Sequence, residues 1–508
     1  MKKKLLSVML AVTLSVSCMT PLIALAEEDV VTNDGAGDIV RAGSCGDTAT
    51  YTMNADGVLT ISGSGHIYEK AFWDWDDVKY VEISPEITGI GKYAFGECSN
   101  LISVKGLKGV TSIDEGAFRW SSLNSITFPE KLTSIGNTVF ANCSSLKHIT
   151  VPKGVISIGE DAFRWSSLSS IDLPEGLTYI GGCAFADCNS LKSITIPKEV
   201  TTIEGLPFIG CRDLETIIIE SGNTQYDSRD NCNAIIQTDT NELIAGCKNT
   251  VIPTSVTSIG RAAFSGCSNL KSITIPEGVN SISESAFSEC RSLSSITIPN
   301  NVTSIANRTF EFCSNLKSIS LPEGVNSIGV EAFNGCNSLE SITIPKSLMS
   351  IGKYAFNSCN SLSSIVIPKD VMEIQEYAFT NCGNLKNITV ESDNRQYDSR
   401  NNCNAIIETS TNKLITGCKN TIIPTSVTSI GDSAFEGCSE LKSINIPKKI
   451  TNIGGRIFGG CSGLERITVE PDNRQYDSRN NCNAIIETGT NKLIAGCKDT
   501  IIPTDIKI

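Results

Sequence analysis

Three copies of a five-residue motif place a tyrosine and an arginine three positions apart. The motif reads Gln-Tyr-Asp-Ser-Arg, and its pairs are Tyr226 with Arg229, Tyr397 with Arg400, and Tyr476 with Arg479. Tyrosine and arginine are enriched at binding hot spots, and three copies raise avidity for a partner that spans them. The motif therefore predicts a partner-binding contact in each copy. The alternative is that each tyrosine packs on its own segment and each arginine pairs with a neighbouring aspartate.

Two tryptophans form a second candidate contact site. Trp120 and Trp165 each follow a Phe-Arg pair, and both lie in repeat units that are 22 residues long instead of 23. One interpretation is that each indole fills the space of the missing residue. The other is that the two rings, two units apart on one side, form an exposed aromatic patch for a ligand.

Residues suited to catalysis or metal binding are scarce. The chain has two histidines, His66 and His148. It contains no Gly-x-Ser-x-Gly elbow, no His-Glu-x-x-His and no phosphate-binding loop. An Asx-rich run over 393–404 has the oxygen atoms that calcium prefers, but Arg395 and Arg400 interrupt it. The sequence predicts a non-enzymatic protein without a cofactor or a metal.

The cysteines fall into two patterns. Of the chain's 21 cysteines, twelve lie three residues after a regularly spaced phenylalanine, from Cys98 to Cys461. One thiol at the same buried place in each unit predicts an unbridged packing ladder, since small thiols suit a tight turn. Three further pairs lie 15 residues apart, as in Cys232 and Cys247. These pairs are either free or bridged across a hairpin, and Cys-x-x-Cys zinc spacing is absent.

The regular spacing of phenylalanines indicates the element that positions all these residues. Phe264, Phe287, Phe310, Phe333, Phe356 and Phe379 follow one another at intervals of 23 residues. A fixed period in the twenties is typical of a solenoid, in which each coil buries its apolar residues against its neighbours. A coil combines a short strand with period two, a helical or 3₁₀ turn around the phenylalanine, and a second extended arc.

Other segments flank or interrupt the coils. Residues 1–26 read as a signal peptide, 27–44 as a flexible leader, and 45–86 as an N-terminal cap with a β-hairpin around Asn54–Gly57. Residues 87–508 form the predicted solenoid, with hairpin inserts at about 220–253, 391–424 and 470–503. Because the next phenylalanine would fall beyond Ile508, we expect an open coil edge there that allows self-association.

The repeated unit resembles the BspA-like class of bacterial leucine-rich repeats. The resemblance rests on Leu293-Ser-Ser-Ile296-Thr-Ile298-Pro299 and on Ala332-Phe333-Asn-Gly-Cys336, and it extends from Ile87 to the C-terminus. It implies a repeat solenoid and a secreted or surface-exposed protein that attaches to host cells, matrix proteins or other microbes. It implies no catalytic residues.

Charge and composition narrow the range of partners. The formal net charge is −13, and the first 26 residues contain three lysines and no acid. Such an acidic chain is poorly suited to nucleic acid or to an anionic membrane, and no run after the signal could span a bilayer. We expect an extracellular, cell-surface adhesion protein that binds a protein or glycan ligand. The alternative is a structural cell-envelope component that self-assembles.

Overall fold

The computed structural model describes residues 39–506. The predicted signal peptide and most of the predicted leader lie outside them. Within this range the chain forms a β-solenoid in which successive coils stack with parallel strands. Each coil contributes one phenylalanine to a central stack, and we call this residue the ladder phenylalanine. Along the chain a coil consists of a first strand, a second strand and a turn segment around its ladder phenylalanine, after which the first strand of the next coil begins.

The N-terminal cap continues both strand stacks. Its strands are β1 (Ile39–Ser44), β2 (Thr48–Asn54) and β3 (Val58–Ile67), joined as antiparallel neighbours. Strand β3 then pairs in parallel with Tyr80–Ile83 and with Ile87–Ile90, so it begins both stacks. The prediction of a flexible leader as far as residue 44 is wrong for residues 39–44, because β1 completes the edge of this sheet.

The first strands of the coils form one parallel stack, and the second strands form another. The first strands are Tyr80–Ile83, Ser103–Lys105, His148–Thr150, Ser170–Asp172, Ser193–Ile196, Thr216–Ile219, Ser318–Ser320, Ser341–Thr343, Ser364–Ile367, Asn387–Val390, Ser443–Ile446 and Arg466–Val469. The second strands are Ile87–Ile90, Ser112–Ile113, Ser134–Ile135, Ser157–Ile158, Tyr179–Ile180, Thr202–Ile203, Ser258–Ile259, Ser281–Ile282, Ser304–Ile305, Ser327–Ile328, Ser350–Ile351, Glu373–Ile374, Ser429–Ile430 and Asn452–Ile453.

Three inserts interrupt the coils, and each adds three short antiparallel strands. Their strands are Tyr226–Asp227, Ala234–Gln237 and Glu242–Gly246; Tyr397–Asp398, Ala405–Glu408 and Lys413–Gly417; and Tyr476–Asp477, Ala484–Glu487 and Lys492–Gly496. The 3₁₀ helices are Leu107–Gly109, Arg229–Asn231, Arg400–Asn402 and Arg479–Asn481. In the first two inserts the third strand pairs in parallel with the second strand of the next coil.

The ladder phenylalanines stack through the core. From Phe72 to Phe208 and from Phe264 to Phe379, neighbouring rings lie 5.1–5.7 Å apart between centroids and nearly parallel. Phe72, which lies in the predicted N-terminal cap, is therefore the first member of the ladder. The thiol that follows a ladder phenylalanine donates to the carbonyl of the preceding ladder phenylalanine, as Cys336 Sγ does to the Phe310 carbonyl at 3.1 Å. After the first two inserts, Cys267 and Cys438 donate instead to the Gly246 and Gly417 carbonyls.

The turn segments are not helical. In each described coil the residues two before and two after the ladder phenylalanine have positive φ, as Tyr354 (56°) and Ser358 (60°) do on either side of Phe356. These left-handed residues turn alternate N–H groups toward the next coil: Tyr354, Phe356 and Ser358 donate to the carbonyls of Glu376, Ala378 and Thr380. The expected helical or 3₁₀ turn is thus replaced by a turn that bonds to its neighbour, which continues the solenoid ladder.

Candidate functional site

The two tryptophans occupy the left-handed position after the ladder phenylalanine. Trp120 has φ 61° and Trp165 has φ 57°. The same position in other coils holds Asp74, Glu97, Asn142, Asp187, Gly210, Gly266, Glu289, Phe312, Gly335, Ser358, Asn381, Gly437 and Gly460. Glycine, asparagine and aspartate tolerate this conformation, whereas for a bulky side chain it is an outlier. Folding alone therefore gives no reason for tryptophan there.

Both indoles are about half exposed. Trp120 is 49% and Trp165 46% exposed, while Phe118 and Phe163 beside them are fully buried. The one missing residue lies just after each tryptophan, between the Ser121 or Ser166 position and the following leucine. The rings lie beside these shortened turns without being buried by them, so they form part of the surface.

The rings lie on the same side of the solenoid, with one coil between them. These three turn positions are linked by backbone hydrogen bonds of 2.8–3.0 Å. The backbone N–H groups of Trp120, Asn142 and Trp165 donate to the carbonyls of Ala141, Arg164 and Ala186, respectively. The coils here are 5.7 Å and 5.6 Å apart between ladder ring centroids. We call Trp120, Asn142 and Trp165, with Arg119 and Arg164, the tryptophan face.

Charged side chains border this face on the Trp165 side. The Arg164 guanidinium carbon lies 4.0 Å from the centre of the Trp165 ring, a cation–π contact. Arg164 Nη1 also lies 3.3 Å from Asp161 Oδ1, and Nε lies 3.5 Å from Asp187 Oδ2. Burial raises the pKa of the Asp187 carboxyl, and Arg164 opposes that shift. Arg164 is thus held flat over one indole by two carboxylates.

Unpartnered polar atoms concentrate at the same place. Among residues 39–506, the buried side-chain nitrogen and oxygen atoms without a hydrogen bond are Arg119 Nε, Thr138 Oγ1, Asn142 Nδ2 and Arg164 Nε, of which only Arg164 Nε has an ion-pair partner, Asp187. All four belong to the turn segments of the coils of Phe118, Phe140 and Phe163. A buried polar group without a partner costs about 1–3 kcal/mol. This segment therefore carries local costs that the regular coils avoid, as functional sites often do.

The core beneath the tryptophan face is intact. Ser121 and Ser166 occupy the ladder-thiol position in the two short coils, and their hydroxyls lie 3.3 Å from Cys143 Sγ and Cys188 Sγ. Both serines are buried. Serine thus replaces cysteine within the ladder, and the unusual features are confined to the surface.

The tyrosine–arginine pairs of the inserts lie in a different environment from the one expected. Tyr226, Tyr397 and Tyr476 are buried, and the Ile203 and Ile374 N–H groups donate to the hydroxyls of Tyr226 and Tyr397 at 3.1 Å and 3.0 Å. Each tyrosine is therefore packed, as in the alternative that the sequence left open, but against the preceding coil and not only on its own segment. A role of these rings in partner binding stays a prediction that no contact in the structure favours.

The insert arginines are bonded within their own inserts. Arg229 donates through Nε and Nη2 to the two carboxylate oxygens of Asp227 at 2.8 Å and 2.6 Å, and through Nη1 to Asn241 Oδ1 at 2.8 Å. Arg400 and Arg479 make the equivalent bonds. The pairing with aspartate, which the sequence left as the alternative, is the arrangement observed.

The inserts also expose apolar residues that sequence reasoning missed. Val251, Ile422 and Ile501 occupy the same place in the three inserts and are 71%, 77% and 72% exposed. Each lies in an Ile-Pro strand end, where the period-two pattern of the coils makes an aliphatic residue look buried. An aliphatic residue at the same place in all three aligned inserts was the one sequence feature that could have drawn attention to them.

The described cysteines are all unbridged, including Cys232 and Cys247. Burial raises the pKa of the Cys188 and Cys382 thiols to about 12. Within residues 39–506 no cluster of three or more potential ligands could hold a metal ion. In the same range no helix has the length and apolar character needed to cross a membrane.

The repeat profile settles the family. The chain matches the BspA type leucine rich repeat region, a profile of six repeat copies, over residues 65–164, 111–236, 234–347, 326–420 and 405–487. It belongs to the BspA-type leucine-rich repeat family. The search of curated proteins found no match.

Solved structures of bacterial leucine-rich repeat proteins are similar to this chain. A leucine-rich repeat protein from Eubacterium ventriosum is 25% identical, with a TM-score of 0.50, and the alignment covers 66% of this chain and 94% of that one. A leucine rich cell surface protein from Faecalibacterium prausnitzii is 26% identical with a TM-score of 0.46, covering 70% and 96% of the two chains. A leucine-rich repeat protein from Bacteroides ovatus is 24% identical with a TM-score of 0.44, covering 86% and 100%.

Proposed function

We propose that this protein is a non-enzymatic adhesion protein of the bacterial cell surface and that the tryptophan face contacts its ligand. The observation that carries this proposal is the pair of half-exposed tryptophans in left-handed positions, above unpartnered polar atoms. Exposed aromatic rings are favourable contacts for proteins and for the apolar faces of sugars. Secretion and attachment to a host or microbial surface come from the family resemblance and the predicted signal peptide.

Replacing both tryptophans by asparagine tests this role. Asparagine already occupies the same position at 142 and 381, so Trp120→Asn with Trp165→Asn keeps the turn and removes the rings. We expect the wild-type chain to bind one or more spots on an array of glycans and extracellular matrix proteins. The double variant should lose that binding at least tenfold while its thermal unfolding temperature stays the same or rises.

Phe312→Asn provides a matched control. Phe312 is also left-handed and 43% exposed, but its neighbours at this position are Glu289 and Gly335, and a Cβ at Gly335 would lie 2.4 Å from its ring. We expect this control to retain binding. Binding that survives in the double tryptophan variant, or that falls equally in the Phe312 variant, would overturn the assignment to the tryptophan face.

A further inference from the structure

The stack of first strands lacks strand pairing at residues 125–128. The strand Ser103–Lys105 pairs only with the coil before it, and His148–Thr150 pairs only with the coil after it. Residues 125–128 lie between these strands and pair with neither. Here Phe128 takes the place of the usual isoleucine, and its ring meets Phe140 edge-on at 5.6 Å. A bulky aromatic ring thus lies at this break in the ladder.

Two grooves flank the interrupted strand on its outer side. One has a volume of about 550 Å³ and the other of about 720 Å³, and both are lined by Thr127, Phe128 and Glu130. Volumes of this size are typical of small-molecule and sugar-sized sites. Because the two grooves share these residues, they form one continuous depression across three coils, which we call the lysine groove.

Four exposed lysines line the lysine groove. Lys105, Lys108 and Lys131 border the first part, and Lys153 borders the second. In the described part of the chain none of the four forms an ion pair, whereas lysines 92, 248, 353, 419 and 442 do. Unpaired cations gathered at one place in a chain of net charge −13 are positioned to attract an anion.

We propose that the lysine groove binds an anionic polysaccharide, with sulfate, phosphate or carboxylate groups spaced along the chain. The lysines come from three successive coils, whose ladder rings lie 5.7 Å and 5.6 Å apart. A polymer that runs along the solenoid axis therefore meets a cation in each coil. Thr127 and Thr150 present hydroxyls in the same depression, which suit sugar hydroxyls as hydrogen-bond partners.

The coil spacing favours a sugar chain over an acidic peptide. An extended peptide places the side chains of one face about 6.6–6.8 Å apart, which falls out of step with this spacing within a few coils. Glu130 is the one carboxylate that lines the groove, and its negative charge weakens the binding of an anion. Its removal should therefore strengthen binding.

Binding of heparin by the mature chain tests the proposal. The variant with Lys105, Lys108, Lys131 and Lys153 changed to glutamine should bind heparin at least tenfold more weakly at 0.15 M salt. Glu130→Gln should bind it more tightly, and neutral dextran should not bind. The control variant changes Lys198, Lys271, Lys317 and Lys346 to glutamine, which removes the same charge from exposed sites elsewhere, and it should bind within twofold of wild type.

Additional measurements distinguish the source and the class of the ligand. Hyaluronan and chondroitin sulfate represent host polymers, and teichoic acid represents a bacterial wall polymer; tighter binding of either group supports the groove and identifies the source. Polyglutamate that binds as tightly as heparin would overturn the polysaccharide proposal in favour of a peptide. No heparin binding, or equal losses in both lysine variants, would overturn the groove. The double tryptophan variant should keep heparin binding, so this proposal and the tryptophan face fail separately.

Discussion

The two short coils and the regular run from Phe264 to Phe379 have the same core and different surfaces. In both regions parallel rings stack at 5.1–5.7 Å, and the buried side chain three residues after each ladder phenylalanine is serine in the short coils and cysteine in the regular run. The short coils differ at the turn, where tryptophans are left-handed and half exposed and polar atoms lack partners. The regular run instead places glutamate, glycine, serine or asparagine there, with Phe312 as the exception. A repeat can therefore acquire a binding surface without altering its core.

Thiol reactivity provides the largest expected effect and tests whether the cores match. Because the pKa of both Cys188 and Cys382 is about 12, compared with 9.0 for a free thiol, their thiolate fraction at pH 8 is about a thousandfold lower. We expect iodoacetamide to leave both unlabelled in the native chain and to label both in urea, as followed by mass spectrometry. Fast native labelling of Cys188 alone would show that the core next to the short coil of Phe163 is looser, and a disulfide at either would contradict the unbridged ladder.

Truncation of a ladder phenylalanine should destabilise both regions equally. Phe140 and Phe310 are each fully buried between two parallel rings. Phe140→Ala and Phe310→Ala should each lower the free energy of unfolding by about 3–5 kcal/mol in urea titrations. A much smaller loss at Phe140 would mean that the difference between the regions extends into the core.

Exchange of the turn residues should have smaller effects of opposite sign. Trp120→Asn relieves a left-handed bulky residue, so we expect the free energy of unfolding to rise by about 1 kcal/mol. Glu289→Trp places tryptophan at the same position of the regular run and should lower it by a similar amount. Urea unfolding of each variant measures the change in the free energy of unfolding. A loss of stability in Trp120→Asn would indicate that the ring serves packing.

The smallest effect concerns pH. Because burial raises the pKa of Asp187 in the folded chain, the folded state binds this proton more tightly than the unfolded state, and the contribution of Asp187 to stability falls as pH rises through its folded pKa. The window therefore lies above about pH 4, the unfolded value. Between pH 4 and 7 we expect wild type to lose a few tenths of a kcal/mol relative to Asp187→Asn in urea titrations. An unchanged difference across that range would contradict this account.

The sequence predicted the solenoid because its signal is repetitive. The period of the ladder phenylalanines and the position of each thiol fix the stacking register, and the hairpin around Asn54–Gly57 follows from local turn chemistry. The conformation of the turn was less accessible. The left-handed φ values at these positions depend on backbone hydrogen bonds to the next coil. Glycine and asparagine would have indicated such values, but several of the positions hold bulky residues such as Trp120 and Tyr354.

The candidate site was only partly predictable for a related reason. Trp120 and Trp165 were identified by their departure from the repeat, but their exposure depends on how the shortened turn packs. Tyr226 was misplaced because its burial requires the Ile203 N–H of a preceding coil. The lysine groove left no motif, since Lys105, Lys131 and Lys153 belong to different coils and are brought together only by stacking.

The inserts give the solenoid a built-in geometry. Gly246 takes the place of a ladder phenylalanine in the first insert, and its N–H donates to the Ala263 carbonyl at 2.8 Å. The coils before and after the insert bond directly at another place in the turn. Gly210, two residues after the ladder phenylalanine Phe208, donates its N–H to the Ser265 carbonyl at 3.0 Å. At the second insert Asn381 N–H donates to the Glu436 carbonyl in the same way. Each of the first two inserts is therefore a wedge-shaped partial layer: it separates two coils at the ladder position and is absent where those coils bond directly. Duplicating or deleting such an insert would change the direction of the solenoid axis. Recombination at the inserts could therefore change how far the protein extends while every coil kept its own contacts.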